Sequence, residues 1–153
     1  MKFKLILLTS LFIALSGCAT TQKSFASKQG LTARDAIELS ERDAPNRVPG
    51  IFSLSIKASG ETSRYVYLNT ESDYRDRRNV SVVLLPEFQK AFVQKYGKKA
   101  EVMLMDKNIL VNSYAKRIKI YFYSNGERTE KYYFQTHIPV KSLKQVRFCE
   151  TCT

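Results

Sequence analysis

From Ile51 the apolar residues recur with a period of two. Phe52, Leu54, Ile56 and Ala58 alternate with Ser53, Ser55 and Lys57, which predicts a strand with one face turned inward and Gly60 at its end. A second strand follows over residues 65–69, with Val66 and Leu68 on one side and Tyr65 and Tyr67 on the other. Residues 79–85 are nearly all apolar, as expected of a strand covered on both faces. The period then becomes helical. Phe88, Ala91, Phe92 and Tyr96 form one stripe that reads as core packing, Pro86 suits a first turn, and Gly97 suits a C-terminal cap.

A long extended segment over 109–123 moves its inward positions from odd (Ile109, Val111, Ala115) to even (Ile118, Ile120, Phe122), which calls for a bulge or a sharp bend. Ser124-Asn125-Gly126 is a hairpin signal, residues 131–138 return as a strand, and 140–148 offers one more. A two-residue loop would put Phe134 on the Arg117 face and Tyr133 on the Ile118 face, and a longer loop would reverse them. Upstream, Thr32 followed by Asp35 resembles a helix N-cap. Leu31 can staple against Ala36, and a short helix to about Ala44 should end before Pro45 and Pro49.

Three strands, a helix and two strands, one of them bent, is the order of a five-stranded OB-like Greek-key barrel with its helix between strands 3 and 4. The expected fold is therefore mainly β, with a short N-terminal helix in addition. The run Tyr67-Leu68-Asn69-Thr70-Glu71-Ser72-Asp73-Tyr74-Arg75-Asp76-Arg77-Arg78-Asn79 resembles a motif of small bacterial OB-fold proteins without a settled activity. The likeness spans roughly residues 50–140 and implies the fold without implying any chemistry.

At the N-terminus Lys2 and Lys4 precede an apolar run from Leu5 to Leu15, broken by Thr9 and Ser10, and small residues lead into Cys18. This is the layout of an export signal, and its run of about 11 residues falls well short of the ~20 a membrane-spanning helix needs. Leu15-Ser16-Gly17-Cys18 resembles the lipobox of bacterial lipoproteins. The resemblance implies cleavage before Cys18, acylation of its thiol and of the new amine, and a durable membrane anchor. Ala19 after the cysteine implies, by likeness to lipoprotein sorting, a periplasm-facing position on the outer membrane. The expected organisation is a signal peptide over 1–17, the lipidated cysteine and a polar tether over 18–30, a helix and linker over 31–49, and the barrel over 50–153.

The whole chain carries a formal charge of +11, and removing Lys2 and Lys4 leaves 11 − 2 = +9. Such a field favours anionic partners, an envelope ligand or an acidic protein, while the export signal demotes nucleic acid. Cys149 and Cys152 are spaced for a local disulfide in an oxidising compartment. Two thiols and one histidine fall short of a four-ligand zinc site, so neither a metal nor another cofactor is expected.

Two surfaces carry candidate binding residues. The charged loop after Asn69 presents Tyr74, Arg75, Arg77 and Arg78 beside Glu71, Asp73 and Asp76. One reading is a self-neutralising set of salt bridges, another is ligand binding by the arginines, and a third is a metal-dependent phosphodiesterase of the staphylococcal nuclease kind. The second surface is a strand face bearing Arg117, Lys119, Tyr121 and Tyr123, where cations interleaved with rings suit an anionic ligand. A solvated face, or one packed beneath the N-terminal helix, is the alternative there. His137 reads as a strand-packing residue, and no nucleophile sits in a recognisable triad. The sequence thus favours a non-enzymatic binding module, with phosphodiesterase activity or association of the basic barrel with a membrane surface as the rivals.

Overall fold

The computed structural model describes residues 30–150. Among these the chain is mainly β, with seven strands: β1 (Val48–Ser55), β2 (Ala58–Glu61), β3 (Val66–Asn69), β4 (Val80–Leu84), β5 (Asn108–Ser124), β6 (Glu127–Val140) and β7 (Val146–Phe148). Three helices accompany them, α1 (Ala33–Arg42), α2 (Pro86–Tyr96) and α3 (Ala100–Met103). The hydrogen-bonded order is β1-β5-β6-β4-β3-β2, all neighbours antiparallel except β4 with β6, and β7 pairs with β5. The two ends of this path, β1 and β2, are consecutive in the chain and separated only by Ile56 and Lys57. The sheet is therefore curled so far that it nearly meets itself.

The count of seven corrects the expected five. The alternating run that reads as one strand divides at Ile56 and Lys57, because its first half pairs with β5 and its second half with β3. A 3-10 turn at Leu143–Gln145 then reverses the chain into β7. The helix stripe also needs adjusting. Phe88 and Phe92 are buried, whereas Tyr96 is 36% exposed, with its ring 4.6 Å from that of Phe92. Gly97 closes α2 in the left-handed region at φ 68°, where a side chain would be strained.

The bend expected in the long strand takes a different form. β5 keeps its alternation through residue 121, and its register irregularity falls between Tyr121 and Tyr123. What changes is the covering. Up to Ala115 the strand pairs with β1 and its odd residues Ile109, Val111 and Ala115 are core; beyond it the strand pairs with β6 and runs out past the curled sheet. Apolar even residues such as Ile118 and Ile120 then serve the opposite face.

The core is formed by the inward side chains of the curled sheet, Phe52, Leu54, Leu68, Val80, Val82, Leu84, Ile109, Val111, Ile138 and Val140 among them, closed by Phe88 and Leu104. α1 starts on a reciprocal capping box in which the Thr32 hydroxyl accepts from the Asp35 N–H and the Asp35 carboxylate accepts from the Thr32 N–H. Leu31 is fixed by β1: its N–H donates to the Ile51 carbonyl at 2.7 Å, and its carbonyl accepts from the Ser53 N–H at 2.7 Å. Gly30 permits that approach, since a Cβ there would lie 2.6 Å from the Ile51 oxygen. The C-terminal half of α1 then lies over β5 and β6, where the buried hydroxyls of Ser40 and Thr136 meet at 3.1 Å.

Candidate functional site

The hairpin loop is the two-residue Asn125-Gly126, closed by the pair Ser124 and Glu127. That settles which rings share a face. Ile118 is opposite Gln135, Ile120 opposite Tyr133 and Lys116 opposite His137, while Arg117 is opposite Thr136, Lys119 opposite Phe134 and Tyr121 opposite Tyr132. Tyr133, Gln135 and His137 therefore lie on the outer face of the sheet with Ser81 of β4 and Tyr67 and Asn69 of β3. Phe134 and Tyr132 lie on the other face with Arg117.

Over that outer face runs a groove of about 650 Å³. Its floor is Tyr67, Asn69, Ser81, Gln135 and His137; one wall is β2 with the turn after it, and the other is the hairpin arm from Ile120 to Tyr123 with Tyr133. Tyr74 and Arg75 close one end. The floor is braced by buried polar groups. Ser81 Oγ donates to Asn69 Oδ1 at 2.8 Å, and Asn79 Nδ2 lies 3.2 Å from the same oxygen, 3.1 Å from Ser81 Oγ and 3.2 Å from the Tyr74 carbonyl. The motif asparagines thus pin the loop 70–79 to the sheet.

A second brace comes from β6. Gln135 Nε2 donates to the Tyr74 carbonyl at 2.9 Å, so its Oε1 is left to accept, and His137 Nε2 lies 2.8 Å from that oxygen. His137 Nε2 must then carry the proton, with Nδ1 the bare nitrogen. Burial lowers the His137 pKa to about 4, which keeps the ring neutral, and its edge meets the Tyr67 ring at 5.9 Å. The Tyr133 phenol is raised above its ordinary value, mainly by burial, against the downward pull of neighbouring Arg75.

The carboxylates of the loop are committed to structure. Glu71 pairs with Lys57 at 2.9 Å, Asp76 pairs with Arg78 at 2.8 Å, and Asp73 and Asp76 accept the Arg75 and Arg78 N–H groups. The Arg78 hydrogen bonds hold the Asp76 carboxyl at a pKa of about 2. Among the described residues no three His, Cys, Asp or Glu side chains converge on one point. Arg75 and Arg77 form no ion pair among the described residues, and Arg75 Nε donates to the Tyr74 hydroxyl at 3.0 Å.

Of the residues singled out from sequence, Tyr74, Arg75, Tyr121 and Tyr123 line the groove, and Arg77, Arg78, Arg117 and Lys119 do not. Arg78 is engaged by Asp76. Arg117 lies beneath α1, paired with Glu41 at 3.3 Å and stacked 3.9 Å over Phe134, so that end of the basic strand face is covered by the helix. Lys119 stacks 4.0 Å over Tyr132 on the same side. Sequence reasoning missed Tyr67, Gln135 and His137 as groove residues; the alternation of β6 against Ile118 and Ile120 carries that signal once the loop length is fixed. Cys149 is disulfide-bonded. Cys152, its expected partner, and Cys18 lie outside the described residues, as does the predicted signal peptide.

No protein family and no curated protein matches the chain. Among solved structures, an aspartyl-tRNA synthetase from Entamoeba histolytica aligns over 96% of this chain and 28% of its own length, at 13% identity and a TM-score of 0.46. A protein assigned as an aspartyl-tRNA synthetase from Leishmania major Friedlin aligns over 84% of this chain and 22% of its own, at 8% identity and a TM-score of 0.43. This chain spans under a third of either length. Similarity at this level is too low to bear on fold or function.

Proposed function

We propose that this protein is a non-enzymatic binding module of the bacterial envelope, anchored to the periplasmic side of the outer membrane through acylated Cys18, whose barrel holds an anionic ligand in the groove beside Arg75. In this reading the domain is an OB barrel. With β1 and β2 taken as one strand kinked at Ile56 and Lys57, the order of the remaining strands, the parallel β4–β6 pair and the helices before β5 correspond to the five-stranded plan. β7 is then an addition to that plan.

The observation that carries the functional reading is a groove braced by hydrogen bonds and walled by tyrosines, with a cation at one end that has no carboxylate partner among the described residues. Rings supply flat apolar faces for sugars or bases, and Arg75 supplies the charge. Titration with a phosphorylated oligosaccharide and its dephosphorylated form, followed by calorimetry, tests it. Binding of the phosphorylated form alone, weakened about tenfold or more by Arg75→Ala, is expected for one charge-assisted contact. Equal binding of the two forms, or no effect of Arg75→Ala, would overturn the reading.

A further inference from the structure

Beyond the barrel, β5 and β6 continue as a two-stranded arm, and we infer that this arm is a membrane-contact element that seats in the headgroup layer of an anionic bilayer. A ribbon of two strands past the core has no interior of its own, so soluble arms are expected to be polar on both sides. This one carries exposed rings on both. Phe122 is 40% exposed toward the groove side, Tyr132 48% and Phe134 42% on the other, and Tyr123 68% beside the turn.

The cations of the arm are laid over those rings. Lys119 sits 4.0 Å over Tyr132, and Arg128 sits 4.6 Å over Tyr121. Leaving out Arg117, which pairs with Glu41 beneath α1, residues 116–134 hold four cations, Lys116, Lys119, Arg128 and Lys131, against Glu127 and Glu130, a net 4 − 2 = +2. Tyrosine and phenylalanine with long basic side chains among them is the composition of a membrane interface, where rings settle at headgroup depth and amines reach the phosphates. Basic clusters add attraction to anionic lipid within a Debye length.

A protein partner docking on one side of this two-stranded ribbon leaves the other set of rings in water. A fluid headgroup layer surrounds both. The polar tip, Ser124-Asn125-Gly126, fits shallow seating rather than deep insertion. Phe122 and Tyr123 also wall the groove, and the test reads lipid contact with no groove ligand present.

The test uses the full chain on vesicles of phosphatidylglycerol and phosphatidylcholine doped with a photoactivatable lipid, with labelled peptides mapped after irradiation. Labelling concentrated in residues 117–134 is expected, about fivefold or more above the α2 peptide at the opposite end of the barrel. It should fall about fivefold in Arg128→Ser, the loss of one cation near an anionic surface. It should collapse in the double variant Phe122→Ser with Tyr123→Ser, while Lys90→Ser with Lys98→Ser, which removes two charges far from the arm, leaves it intact. Labelling spread evenly, centred on another surface, absent altogether, or indifferent to the arm variants overturns the inference.

Discussion

The side chain of Gln135 reaches across 61 residues of sequence to the backbone of Tyr74, donating to its carbonyl at 2.9 Å. One amide therefore ties the charged loop to the groove floor. The Tyr74 carbonyl, which can only accept, fixes which end of the amide points where, and through it which nitrogen of His137 carries the proton. Gln135→Leu, which keeps the bulk and removes both polar ends, should loosen residues 72–78. Faster amide exchange in that segment is the expected outcome, with global stability lowered by about 1 kcal/mol, the ordinary net worth of such a bond.

His137 predicts a pH dependence. Its folded pKa of about 4 lies below the ordinary value of 6.5, so the unfolded chain binds the extra proton first. Stability is complete above pH 6.5 and declines as pH falls through the window to 4, by about 3 kcal/mol in all. Denaturant melts between pH 7 and 4 should show that slope, and His137→Asn should flatten it. Asp76 acts lower down. Its pKa of about 2, below 3.8, places its contribution above pH 3.8 and its loss between 3.8 and 2.

The Asn79 amide serves Asn69, Ser81 and the Tyr74 carbonyl in a buried setting. Removing it leaves these groups with fewer donors. Asn79→Ala should cost about 2–3 kcal/mol in thermal or denaturant unfolding, whereas Arg77→Ala, an exposed side chain with no ion pair among the described residues, should stay within about 0.5 kcal/mol of the parent.

The docking of α1 is open to a double-mutant cycle. Ser40→Ala and Thr136→Val each break the hydroxyl pair at 3.1 Å, so the two together should fall short of additivity by about 1 kcal/mol. Full additivity in denaturant titrations would mean that the hydroxyl pair adds nothing to the docking of the helix.

Local features were legible in the chain. The Thr32 and Asp35 cap, the burial of all five residues of β4 and the left-handed Gly97 each follow from neighbours a few positions apart. The groove was not. Its floor joins Tyr67, Ser81 and His137 from three strands, and only long-range pairing brings them side by side. The face of Tyr133 turned on the length of one loop, and one of the two extra strands arose because a continuous apolar alternation changes partner at Ile56 and Lys57. Alternation encodes which side is inward and is silent about which neighbour is met.

The pairing of Val48 with Ala115 and of Val80 with Thr136 also sets an order of events during folding. These partners stand 115 − 48 = 67 and 136 − 80 = 56 residues apart, so the early strands have nothing to close against until the last third of the chain is present. Until then Phe52, Leu54, Val80 and Val82 face water together, and a chain arrested before β5 would be an adhesive intermediate rather than a smaller stable domain.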